Sequence, residues 1–266
     1  MKKILFVTLV TFTISIILSS CASHPVRMSG KKERVQNLKK VALIEMIVAP
    51  HAKPRYPLID AAIFKSSLDN IASEIINFNI QCVDTFETYL ATSFKDYFKP
   101  EIVYGKELRK SVEYSKLKDS ISIETLALDD DDFPKINVPE GTLNFFNFYE
   151  KGHPLYYFST KQIGKEKEKI SKICNTLNID GAIIAVTGVE ALEPAGILNS
   201  SWVRVNATKL YFFDKSGDYI LFLKGNSEEN ISSADDFFNY KKMMNDYYSN
   251  VRLMFDVLFG LKENSR

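Results

Sequence analysis

Gly181-Ala-Ile-Ile-Ala-Val-Thr-Gly-Val189 decides how the rest of the chain is read. It carries no charge, is rich in β-branched residues, and is too short for a buried helix. Such a run is a strand covered on both faces. Just upstream, Ile163, Ile170, Ile173 and Leu177 mark the apolar side of a Lys- and Glu-rich helix, which Asn178-Ile-Asp-Gly181 ends. Downstream, Trp202–Phe213 and Asp218–Lys224 flank the turn Asp214-Lys-Ser-Gly217. Asp and Gly there do turn work, so the three pieces predict a β-hairpin.

The same alternation extends outward. Val41-Ala-Leu-Ile-Glu-Met-Ile-Val48 is a second buried-strand pattern, ended by Pro50. Helical spacing follows at Phe64, Leu68, Ile71 and Ile75, and again at Phe86, Leu90, Phe94 and Tyr97 before Pro100. Glu101–Tyr104 reads as a short strand and Lys106–Lys118 as a charged surface helix. Residues 119–160 keep no period and read as an insertion. A helix from about Asp235 to Gly260 closes the chain, with Met244, Tyr247, Val251, Met254, Phe255 and Leu258 on its apolar side. Strands interleaved with helices predict an α/β (α+β) fold, a mixed β-sheet with helices packed on it, as a single domain over 41–262.

Composition narrows the class. The chain has 266 residues, 45% hydrophobic and 25% charged, which excludes a disordered chain and a multi-span membrane protein. The formal charge is +1, so no basic excess points to nucleic acid. Three Cys and three His are too few and too scattered for an evident metal site. No metal and no dissociable cofactor is expected.

The N-terminus carries a different signal. Lys2 and Lys3 precede the uncharged apolar run Ile4–Leu18, which is short for a bilayer span of roughly 20 residues but suits a secretory signal. Leu18-Ser-Ser-Cys21 then has the form of a bacterial lipobox. Residues 1–20 are expected to be a cleaved signal peptide, with Cys21 carrying a covalent diacylglyceryl group and an N-acyl chain. Each buried CH₂ of such chains contributes about 0.8 kcal/mol, and more than one chain makes a stable anchor. Ala22 after the cysteine favours the outer membrane, facing the periplasm. Residues 21–40, polar and basic with Pro25 and Gly30, are expected to form a flexible tether.

Four stretches carry a family resemblance: Lys39-Lys-Val-Ala-Leu-Ile44, Phe86–Phe98 leading into Ile102-Val-Tyr-Gly105, Leu177-Asn-Ile-Asp-Gly-Ala-Ile-Ile184, and Val203–Gly217. Their order is similar to that of a periplasmic α/β domain found in envelope lipoproteins, among them the curli-secretion channel lipoprotein and the N-terminal domain of the Tol-system propeller protein. The resemblance implies a scaffold or assembly role without shared catalytic residues, and self-association into a homo-oligomer. Room for two membrane-inserting hairpins like those of the curli channel is not evident in the sequence.

Several residues invite chemistry. Cys82 and Cys174 are the thiols left after lipidation of Cys21, and either a disulfide or two buried free thiols fits them. Asp129–Asp132 lacks the spaced oxygens of a calcium loop and reads as a solvated acidic loop. His51 and His153 lie in Pro-containing loops with no nucleophile elbow nearby. Phe145, Phe146, Phe148, Tyr149, Tyr156, Tyr157 and Phe158 are either a cover over the sheet or a partner-binding patch. The expected function is a membrane-anchored envelope component that binds other envelope proteins, with no catalytic residue assigned. The alternative is an envelope hydrolase, or a surface ligand-binding lipoprotein using the aromatic segment.

Overall fold

A computed structural model describes residues 26–49, 82–121, 138–146, 166–195, 201–231 and 239–263. In chain order these form β1 (Val26–Gly30), α1 (Lys32–Gln36) and β2 (Lys40–Ala49). Next come α2 (82–97), β3 (Glu101–Val103), α3 (Gly105–Lys110) and α4 (Val112–Ser120). Then follow α5 (Lys167–Leu177), β4 (Gly181–Ala195), β5 (Ser201–Asp214), β6 (Tyr219–Ile231) and α6 (Tyr240–Leu258). The strands make one six-stranded sheet in the order β1-β6-β5-β4-β2-β3. β3, β2 and β4 run parallel, and β5, β6 and β1 add antiparallel neighbours. The fold is therefore a mixed α/β sheet with helices on it.

Alternation along β2 explains the layers. Val41, Leu43, Met46 and Val48 face one side, and Ala42, Ile44 and Ile47 the other. On the first face, Phe86, Leu90 and Phe94 of α2 pack beside Tyr247, Val251 and Phe255 of α6. Tyr97 also donates its hydroxyl hydrogen to Asp256, which ties these two helices together. On the second face, Leu108 of α3, Tyr114 and Leu117 of α4, and Ile170, Ile173 and Leu177 of α5 close the core. Two covered faces are why Gly181–Val186 is apolar at every position.

The helix-to-strand joint before β4 is set by two residues. Asn178 ends α5 in the left-handed region, at φ 50°. Asp180 Oδ2 accepts from the Lys39 and Lys40 backbone N–H at 3.1 Å, and its own N–H donates to Lys40 O at 2.8 Å. This clamp starts β2 and β4 in register, with Val41 beside Gly181.

Three expectations need correction. The tether is not a tether from Val26 onward. β1 pairs with β6 along the sheet edge, Val26 and Val35 are buried, and Lys31 N–H donates to Ile220 O at 3.1 Å. Its apolar residues are few, and Val26 and Val35 are spent on the core while Met28 stays exposed. The helix expected over Lys106–Lys118 is two helices. Ser111 adopts extended backbone, and its Oγ accepts from Tyr114 N–H at 3.1 Å, so a new helix is capped there. The hairpin is longer than its apolar pattern. β4 and β5 stay paired from Val189–Asn206 out to Ala195–Ser201, and β6 follows to Ile231 opposite Trp202. The helical pattern at 64–75 and most of the insertion at 119–160 lie outside the described residues.

The β5–β6 turn is built as the sequence implies. Asp214 Oδ1 accepts from Ser216 and Asp218 N–H, each at 3.0 Å, and Gly217 has φ +78°. A Cβ on Gly217 would also lie 2.0 Å from Lys167 O, whereas one on Gly260, at φ +71°, would meet nothing within 4 Å. Gly217→Ala is expected to lower unfolding free energy by more than about 2 kcal/mol, and Gly260→Ala by only about 1 kcal/mol. Urea denaturation of the two variants measures the difference.

Candidate functional site

β3 is an edge strand with a single partner, and its outer backbone groups meet no described strand. A groove of about 740 Å³ runs beside it, lined by Thr88, Lys95, Phe98, Tyr104, Lys106 and Glu107 among others. A smaller hollow of about 310 Å³ is lined by Lys40, Ser111, Glu113 and Asn178 among others. An open edge flanked by concave surface is a place where an extended peptide can add a strand.

A buried ion pair braces that edge from behind. Arg109 Nη1 donates to Glu87 Oε1 at 2.8 Å and to Oε2 at 2.9 Å, with both side chains almost fully buried. Arg109 Nη2 reaches Asp84 at 3.4 Å, and Gly105 N–H donates to Glu87 Oε1 at 3.2 Å. Since Gly105 lines the groove, the pair fixes the β3–α3 turn against α2. Burial pushes the Glu87 carboxyl up, against the downward pull of the Arg109 guanidinium.

Glu45 is a second buried carboxyl, deeper in the core. It sits on β2 at a β-bulge, where pairing with β4 shifts between Leu43 and Glu45. It is 1% exposed, and neither carboxyl oxygen has a hydrogen-bond partner in good geometry. Burial holds it well above the usual carboxylate range, and the Phe145 backbone and the Lys169 ammonium offset this only in part. Lys169 is itself engaged, donating to Phe145 O at 2.7 Å and lying 5.4 Å from the Phe146 ring centre.

A polar seam runs under α6. The Thr187 and Thr208 hydroxyls share a 2.8 Å hydrogen bond, and Thr187 also donates to Ala207 O at 3.2 Å. Asn206 Nδ2 donates to Asp246 at 2.7 Å, and Asn250 Nδ2 reaches Asn206 O and Ser227 Oγ, each at 3.5 Å. Lys242 pairs with Glu229 further along. Apolar contact thus holds α6 to the near half of β5 and β6, and polar contact holds it to the far half.

The residues singled out by sequence are placed apart. Cys21, Phe148, Tyr149, Tyr156, Tyr157, Phe158, Asp129–Asp132, His51 and His153 lie outside the described residues. Phe145 and Phe146 are buried at 0% and 2% exposure among the second-face core, so these two pack inward. Cys82 and Cys174 are free thiols, and no disulfide joins them. Cys82 packs with the first-face core and Cys174 with the second, so the sheet stands between them. A disulfide needs Cα atoms within about 7 Å, which a sheet between two helix layers forbids. Burial raises the Cys82 thiol to about 11 and the Cys174 thiol to about 12, so both are protonated and weak nucleophiles at neutral pH. Among the described residues no three His, Cys, Asp or Glu side chains are grouped to hold a metal ion. Sequence reading missed the Glu87–Arg109 pair, whose two members are 22 positions apart, and Glu45, whose only signal is one acid inside an apolar run.

No known protein family matches this chain, and no curated protein does. Among solved structures it is similar to the PelC dodecamer from Paraburkholderia phytofirmans in two crystal forms, one of a point-substituted variant. Identity is 10% in both, over 88% of this chain and 97% or 95% of the other, with TM-scores of 0.31 and 0.30.

Two substitutions separate the roles of the buried charges. Arg109→Ala leaves Glu87 buried without its partner and is expected to cost about 3–5 kcal/mol in urea denaturation. Glu45 has the opposite character. Its folded-state pKa is raised above 4.5, so the folded state binds the extra proton, and its contribution weakens as pH rises from about 4.5 toward the folded value. Glu45→Gln removes that slope. Its stability relative to the parent is expected to improve between pH 5 and pH 7.5, measured by urea denaturation at both.

Proposed function

We propose that this chain is a lipid-anchored envelope protein whose α/β body gathers other envelope proteins and copies of itself, without catalysing a reaction. One observation carries the proposal: the signal-like run ending in Leu18-Ser-Ser-Cys21 stands five residues ahead of Val26, the first described residue of the fold. Acyl chains on Cys21 would hold that body on the periplasmic face of the outer membrane. The similarity of its element order to the α/β domain of envelope lipoproteins supports an assembly role. The open β3 edge with its groove supports a protein partner, because an added strand gains backbone hydrogen bonds there without a change in the body.

Metabolic labelling with palmitate tests the anchor. The chain is expected to take up label, and Cys21→Ala is expected to abolish both label and membrane flotation. An unlabelled chain that stays on membranes overturns the anchor. For the assembly role, a C-terminal tag on the lipidated chain is expected to recover specific envelope proteins from detergent extracts. Its size in detergent is expected to exceed a monomer. A monomer that recovers nothing overturns that part.

A further inference from the structure

The distance from Cys21 to the fold has a geometric consequence. Five residues of fully extended chain reach at most about 18 Å, so with Cys21 lipidated Val26 lies no further than that from the anchor point. Val26 stands in one row with Gly225, Thr208 and Thr187. β1 runs antiparallel to β6, so its N-terminal end points the same way as the end of β6 and the β4–β5 tip. Pairing continues past that row, through seven more residues of β5 to Ser201 and eight more of β4 to Ala195. At about 3.3 Å per residue the paired tip stands roughly 23 Å beyond the row, further than the anchor segment can reach.

We infer that the paired end of β4 and β5, residues 189–195 with 201–205, rests on the lipid headgroups as a second, non-covalent membrane contact. The inference depends on lipidation at Cys21. With the strands standing upright on the bilayer, the body cannot be drawn that close without bringing this longer ribbon to the surface. A β-bulge between Val189 and Ala191 lets the ribbon bend relative to the sheet, so it can lie along the interface. The segment carries Leu192, Trp202, Val203 and Val205, with charges at Glu190, Glu193 and Arg204, and the end of β6 paired beside it adds Glu228 and Glu229. Trp is favoured at the membrane–water boundary. A spanning strand needs about 9–11 residues inside the bilayer, more than the tip offers beyond the anchor's reach, so the ribbon lies at the interface and does not cross.

Trp202 is the only tryptophan, so its emission reports this segment alone. The full-length lipidated chain is reconstituted into phosphatidylcholine–phosphatidylglycerol vesicles, with and without bromines on the acyl chains near the glycerol. Emission is expected to fall at least about twofold in the brominated vesicles, as for an interfacial Trp. A second reporter, Val112→Trp in a Trp202→Phe background, marks the other end of the sheet. Val112 is 63% exposed and follows Ser111, which lines the hollow with Lys40 and Asn178 where β2 and β4 begin. Its emission is expected to stay unchanged. Unquenched Trp202 in a chain that floats with the vesicles overturns the ribbon contact and leaves the anchor standing. Equal quenching at both positions overturns it too, since the whole body would then lie against lipid. A chain without lipid that does not float ends the anchor and this inference together.

Discussion

β2 and β4 lie side by side in parallel, and neither keeps a face for water. Most of the molecule follows from covering them. A parallel neighbour cannot be reached by a tight turn, so the chain between them must cross over, and the crossovers become the helices. α2 and α6 close one side, and α3, α4 and α5 the other. The Asp180 clamp matters because it sets the register of this pair. A slip by one residue would exchange the Val41, Leu43 set with the Ala42, Ile44 set and bring each against the wrong layer.

Covering a sheet this fully leaves polar groups stranded, and the chain treats them in two ways. Glu87 is compensated by Arg109, which occupies both its oxygens. Such a pair contributes little net stability, but it fixes where the β3–α3 turn sits, because breaking one partner is costly. Glu45 has no such partner: burial holds its carboxyl well above the usual range, and the Phe145 backbone and the Lys169 ammonium offset this only in part. The bulge places Glu45 out of the alternation that Leu43 and Ile44 keep.

Periodicity made the core strands and the helix faces legible. Val41–Val48, Gly181–Val186 and the Met244–Phe255 face report burial directly, and burial is what an apolar pattern records. The turn at Asp214–Gly217 was legible because its geometry demands a particular chemistry. What escaped was everything held by polar contact. β5 and β6 run on where Asn206 and Ser227 replace apolar residues, and Asp246 and Asn250 of α6 meet them there. β1 escaped because an edge strand needs only backbone partners, and Val26 alone gives it a buried side chain. The candidate site fared worse. In sequence Phe145 and Phe146 read either as a cover over the sheet or as a partner patch, since the strand residues they cluster with, Ile44 and Ile47 upstream and Ile184 and Tyr211 downstream, are far along the chain. Cys82 and Cys174 stayed open between a disulfide and two free thiols for the same reason: spacing carries no record of which side of the sheet a residue joins.

Replacing a loose tether by an edge strand changes what anchoring would mean for this body. A flexible segment of twenty residues would let the domain tumble freely above a membrane. Five residues would not, and the strand they lead into is bonded along its length to β6. The lipid would then act on the sheet as a rigid body and set its orientation as well as its location. The long ribbon of β4 and β5 would face the bilayer, while the start of β2, the β3 edge and its groove would be turned away from it. The surface able to receive a partner strand would stand clear of the lipid. A freely swinging tether could not give that arrangement, whereas acyl chains on Cys21, five residues ahead of the paired Val26, would.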